Sequence, residues 1–354
     1  MRKLTKKDKT FIQYGFLIFL IGLTTYLVST TLDIKLIPGI VKLVNKKYIL
    51  SGIFLMLVYM SLEVIIIKII IDSIQRTKSK FISFKIATMG FYYNLVTPFA
   101  SGSQPMQIYT LKKNNISFSK AVAIVTNKTV VFQAVVTLFC GILIPSSIGL
   151  LKSEVHSVII LVAVGMSMNT FMLIFGLLIV FNPKKIKNTV HFTISTLVKF
   201  RIFKFLESKL EKIDHYIDEY NKSIKMFIRN KTALALSLGL TLIQLIVFFS
   251  VVYFIYKSFN LMGTSYFNLL RLQVFLYMAI SPIPTPGNVG ANEIVFLKIF
   301  SGVFPKEYIG YMVFLYSGYV YYFVLIVSGL LTIGTHYNLS KVKEKQLKSI
   351  AEKI

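Results

Sequence analysis

A single cysteine in 354 residues rules out a disulfide framework and a cysteine-rich metal site. That residue, Cys140, sits inside an apolar run and reads as packing. The four histidines, His156, His191, His215 and His336, show no H-E-x-x-H spacing, which argues against a zinc site. P-loop and G-x-S-x-G motifs are missing, and no polar stretch is long enough to fold a soluble catalytic domain. Acids are scarce: 14 Asp and Glu stand against 40 Lys and Arg. The basic excess gathers between apolar runs, so nucleic acid is not an expected partner. No cofactor is expected.

What the chain has in quantity is apolar sequence, 55% of residues with a mean hydropathy of +0.68. Runs as long as the ~20 residues that a bilayer core requires recur along it. The expected class is an all-α polytopic membrane protein. Full spans are predicted at 11–30, 48–71, 119–144, 156–181, 232–256 and 307–335. The N-terminal run resembles a signal peptide, but Ser29-Thr30-Thr31-Leu32 offers no A-x-A-like cleavage site, so it reads as an uncleaved first span.

Basic clusters assign sides through the positive-inside rule. Arg2, Lys3, Lys6, Lys7 and Lys9 place the N-terminus in the cytoplasm. The basic segment 182–231 and the lysine-rich C-terminal tail fall on the same side. Parity then requires residues 81–111 to enter and leave from the cytoplasmic face, and residues 267–304 to do so from the opposite face. Each segment is a re-entrant hairpin of half-helices or a pair of short spans. Pro and Gly at their middles favour the hairpin, because irregular backbone survives at membrane depth only inside protein or beside a cavity.

The middles match. TPFASGSQ (Thr97–Gln104) and TPGNVGAN (Thr285–Asn292) share T-P-x-x-x-G-small-amide at an offset of 285 − 97 = 188. The same offset maps 119 onto 307. The prediction is a single transmembrane domain over 1–354, an inverted repeat of three spans plus one broken-helix hairpin per half, with halves at about 11–144 and 156–335. Paired Pro/Gly-interrupted segments point to a transporter's midplane site. Asn288 or Gly290 in one half and Ser103 in the other are the expected caps of the second half-helices, whose unpaired N–H groups and positive dipole end attract an anion such as phosphate. The alternative is kinked helices packed by small residues.

Charges inside apolar runs are functional hypotheses by default. Glu293 follows the second break, with Lys298 five residues on. Lys128 lies in the third span with Asn127 and Gln133; it neutralises a phosphate, pairs with a glutamate or snorkels to the surface. Glu63 with Lys68 and Asp72 reads as a structural pair near the inner surface rather than a proton relay. Residues 202–228 place Leu206, Leu210, Ile213, Ile217, Tyr220, Ile224 and Phe227 at helical spacing. They form an amphipathic helix expected on the inner leaflet, where basic flanks meet anionic lipid.

FYYNLVTPFASGSQPMQIYTLKKNNIS (Phe91–Ser117) and SPIPTPGNVGANEIVF (Ser281–Phe296) resemble the signature segments of the transmembrane region of lysylphosphatidylglycerol synthase, the multiple peptide resistance factor, and its stand-alone flippase-like relatives. The likeness covers nearly the whole chain. It implies the bacterial plasma membrane and movement of an aminoacylated or other phospholipid between leaflets. It also maps the family's polar motif onto Asn94, Thr97, Pro98, Gly102, Gln104 and Pro105, and its second motif onto Pro284, Pro286, Gly287, Gly290 and Glu293. Ser103 stands where many relatives carry a second glycine. In the family the lysyl transfer belongs to a separate cytosolic domain. The expected headgroup site therefore comprises Asn94, Thr97, Pro98, Gly102, Ser103, Gln104, Lys128, Thr285, Pro286, Gly287, Asn288, Gly290, Asn292 and Glu293. Expected partners are membrane phospholipids, anionic inner-leaflet lipids at the basic loops, and a separate synthase protein. The alternatives are a component of lysylphosphatidylglycerol synthesis contributing to cationic antimicrobial peptide resistance, and a transporter of a small soluble anion. No ATPase motif is present, so movement runs down a gradient or is coupled to an ion.

Overall fold

The computed structural model describes residues 22, 25–26, 37–77, 81–150, 156–199 and 210–335. The predicted first span lies almost wholly outside them, as do residues 202–209 of the amphipathic segment. Among the described residues all regular structure is helical: α1 (Ile37–Leu43), α2 (Lys46–Ile74), α3 (Ile82–Val96), α4 (Ser103–Lys113), α5 (Phe118–Leu143), α6 (His156–Phe181), α7 (Pro183–Val198), α8 (Leu210–Arg229), α9 (Lys231–Ser258), α10 (Tyr266–Ile280), α11 (Ala291–Phe300) and α12 (Ile309–Thr335). The helices α2, α5, α6, α9 and α12 are long and apolar enough to cross a membrane. The chain is an all-α, multi-pass membrane protein.

Polar residues start these helices where the sequence offers them. The side chains of Asn45, Ser117, Asn230 and Ser265 accept first-turn N–H groups of α2, α5, α9 and α10, satisfying donors that the helix leaves unpaired. The helices α2 and α9 pack along one another as an antiparallel pair. The Asn45 N–H donates to the Ser258 carbonyl at 2.7 Å, and Gln244 Nε2 reaches the Tyr59 carbonyl at 3.2 Å midway along the pair.

That pair fixes where the broken segments enter. The first, α3 with α4, hangs from the C-terminal end of α2; the second, α10 with α11, hangs from the C-terminal end of α9. Because α2 and α9 run antiparallel, the two hairpins enter from opposite ends of the bundle. Helices of 15, 11, 15 and 10 residues reach at most about 22 Å, short of the ~30 Å hydrocarbon core.

Apolar packing around α9, α10 and α12 forms the larger core, with Phe296, Phe300, Phe304 and Tyr316 in contact as an aromatic column. Cys140 is buried within it. A second cluster, including Ile66, Ile70, Ile86, Ile124 and Phe227, joins α2, α3, α5 and α8. The apolar stripe of α8 corrects an expectation here. Ile217, Ile224 and Phe227 are buried, and the helix packs on α5 and α2, so this face is spent on protein rather than on the leaflet.

Paired helix breaks as the candidate functional site

The α3 helix ends at Val96 because Pro98 cannot follow in helical register. A short 3-10 turn, Pro98–Ala100, carries Phe99 and Ala100 at φ 52° and 57° before α4 begins. The second break repeats this: α10 ends at Ile280, and the 3-10 turn Pro286–Asn288 carries Gly287 and Asn288 at φ 57° each before α11 begins. Left-handed backbone thus falls on the same two positions of the motif in both halves. Both second half-helices start at the matched residues Ser103 and Ala291, and 291 − 103 is again 188.

The two turns touch each other. Gly287 is the contact point: a Cβ there would collide with the Tyr321 ring and lie 3.1 Å from the Leu95 carbonyl oxygen. At this position glycine serves both the positive φ and the close approach. Tyr321 belongs to a π-helical turn in α12, Gly318–Phe323, an irregularity that often marks functional sites.

The breaks close differently. In the first, Thr97 Oγ1 donates to the Tyr93 carbonyl at 2.6 Å and accepts the Gly102 N–H at 2.9 Å. In the second, the Gly290 N–H goes instead to Glu293 Oε2 at 2.7 Å, while the Ser317 hydroxyl donates to Glu293 Oε1 at 2.6 Å. Glu293 therefore caps the N-terminus of its own helix, where a carboxylate is favoured by the dipole, rather than pairing with Lys128 or Lys298. Thr285, the counterpart of Thr97, is left with a buried Oγ1 that has no hydrogen-bond partner among the described residues. The same holds for Asn292 Oδ1 and the Tyr321 hydroxyl.

Gly290, one of the two residues expected to cap α11, does so, and the other expected caps are corrected. Gly102 and Gly290 occupy the N-cap positions. Ser103 is the first residue of α4, with no side-chain cap, and Asn288 lies within the 3-10 turn. Of the other expected site residues, Asn94, Pro98, Gln104 and Gly290 are exposed. Thr97, Gly102, Ser103, Lys128, Thr285, Pro286, Gly287, Asn288 and Glu293 are half-buried, and Asn292 is buried. Gln104 Nε2 lies 3.4 Å from Thr129 Oγ1, beside Lys128.

Lys128 itself pairs with Glu63 at 2.5 Å, and Gln244 Nε2 donates to the other carboxylate oxygen at 3.1 Å. Glu63 is thus tied to α5 and α9, not to Lys68 and Asp72. Sequence reasoning also missed a polar relay into the second break. Gln133 Nε2 donates to Asn169 Oδ1 at 2.7 Å, and Asn169 Nδ2 donates to Ser281 Oγ at 2.9 Å. Close approach of α6 to α10 at Gly165, whose Cβ would strike the Met278 carbonyl, seats this relay. Ser317 was missed too, although the repeat offset marks it: 129 + 188 = 317, so Thr129 and Ser317 are counterparts, each facing the start of its half's second half-helix.

A family model described as the lysylphosphatidylglycerol synthase TM region matches residues 12–328. No curated protein and no solved structure matches the chain.

Proposed function

The chain belongs to the lysylphosphatidylglycerol synthase transmembrane-region family, and from that premise we propose that it moves an aminoacylated or other phospholipid between leaflets, taking the headgroup where the two helix breaks meet. The observation that carries this reading is the pairing of two touching turns with unpartnered buried polar atoms. Thr285 Oγ1, Asn292 Oδ1 and the Tyr321 hydroxyl are groups whose burial is costly unless something bonds to them. A polar headgroup brought to the break satisfies them. First-turn N–H groups of α4 favour its phosphate, and the Glu293 carboxylate at the start of α11 favours an amine. Hairpins entering from opposite ends support a site reachable in turn from either side. The proposed setting is the bacterial plasma membrane, with both chain termini in the cytoplasm.

The test is reconstitution in liposomes with fluorescent phosphatidylglycerol and lysyl-phosphatidylglycerol. Wild-type protein is expected to speed transbilayer movement over empty liposomes, and Gly287→Val to abolish the gain by separating the turns. Lipid movement at the empty-liposome rate for every headgroup would overturn the proposal.

A further inference from the structure

Away from the breaks, α7 and α8 enclose an open groove of about 610 Å³. Its wall is strongly basic: Lys187 from α7 faces Lys222, Lys225 and Arg229 from α8, with Asp218 the only acid in the lining among the described residues. Lys222, Lys225 and Arg229 recur three and four residues apart, so they share one face of the helix. Like charges so placed oppose helix formation unless something neutralises them.

This face cannot turn away. The opposite side of α8 is buried against α5 and α2 through Ile217, Ile224 and Phe227. Asp214 fastens α8 to α7 through His191 Nε2 at 2.6 Å and Lys187 Nζ at 3.2 Å. The groove also has a fixed height. Only Asn182 separates α7 from the end of the span α6, and only Asn230 separates α8 from the start of the span α9. Lys187 and Arg229 therefore sit within about a helical turn or two of membrane-crossing helices, at the level of lipid headgroups. Met226, 41% exposed, adds an apolar patch to the lining.

We propose that this groove is a binding site for the phosphate of an anionic phospholipid, held by Lys222, Lys225 and Arg229 with Met226 against the glycerol and acyl root. Basic pockets beside transmembrane helices on the cytoplasmic face bind such headgroups. The site is separate from the helix breaks and stands whether or not lipid crosses there. A lipid is favoured over a free phosphate because the one-residue links hold the groove at the membrane surface and because its lining includes an exposed methionine.

Purified full-length protein in detergent, titrated with short-chain phosphatidylglycerol, phosphatidylcholine or inorganic phosphate and read by native mass spectrometry, tests this. Wild type is expected to prefer phosphatidylglycerol. The triple variant Lys222→Gln, Lys225→Gln, Arg229→Gln should weaken that binding about tenfold or more with phosphatidylcholine unchanged. Lys222→Arg with Lys225→Arg should keep the preference, which guards against a folding defect. Lys298→Gln, which removes an exposed charge outside both sites, should keep it as well. Undiminished phosphatidylglycerol binding by the triple variant would overturn the site. Displacement of bound lipid by inorganic phosphate at equal concentration would overturn the lipid assignment.

Discussion

Gly102 and Gly290 pose one problem, a backbone N–H at the start of a half-helix that needs an acceptor, and the chain solves it with a threonine in one half and a glutamate in the other. The exchange has measurable consequences. Thr97→Val should leave the Gly102 N–H unpaired and cost about 1–2 kcal/mol. Glu293→Gln removes the charge from a dipole end and should cost about 1 kcal/mol. A double-mutant cycle of Glu293→Ala with Ser317→Ala should show coupling of about 1 kcal/mol, read by thermal unfolding in detergent; additive effects would mean that the Ser317 contact contributes nothing. For Glu63→Ala, which strands Lys128, the loss should be larger, toward the lower end of the roughly 3–5 kcal/mol seen for broken buried pairs, because Lys128 is 22% exposed. The sequence marked Glu293, Glu63 and Lys128 because charges in apolar runs stand out. It misdirected one partnership, that of Glu63, because an opposite charge nearby in sequence, Lys68, competes with a lysine on another helix; for Glu293 it left the partner open.

Helix α8 was legible from periodicity, since Ile213, Ile217, Tyr220, Ile224 and Phe227 stripe one face whatever the helix docks on. What it docks on was not, because a stripe fits protein and leaflet equally well and only the positions of α2 and α5 decide. Its fastening to α7 is pH-dependent. The hydrogen bond from His191, with Lys187 adding to it, holds the half-buried Asp214 carboxyl below its ordinary value of 3.8. A lowered folded-state pKa means that this contribution is fully present above the ordinary value and is lost as pH falls through the lowered one. Amide exchange in α7 and α8 should therefore be flat from neutral pH down to the ordinary carboxylate range and rise below it, after correction for intrinsic rates. Asp214→Asn should show the raised exchange already at neutral pH. The half-helices were legible in a different way: Thr-Pro announces the first stop at Val96, the second helix stops earlier, at Ile280 ahead of Pro282, and both second half-helices start where the repeated motif puts them.

Across the whole molecule, the antiparallel α2 and α9 pair places Lys112 and Lys257 at opposite ends of the bundle. Lys112→Cys and Lys257→Cys should therefore label from opposite faces of the membrane, with the buried Cys140 silent; labelling of both from one face would refute the two-sided arrangement. The one-residue joints at Asn182 and Asn230 have a further consequence. With so little slack, a tilt of α6 against α9 should alter the angle between α7 and α8. This bracket is then a strain gauge mounted on the surface of the helix bundle: a pair of spectroscopic labels, one on each of its arms, would register each tilt of the spans beneath without touching the helix breaks.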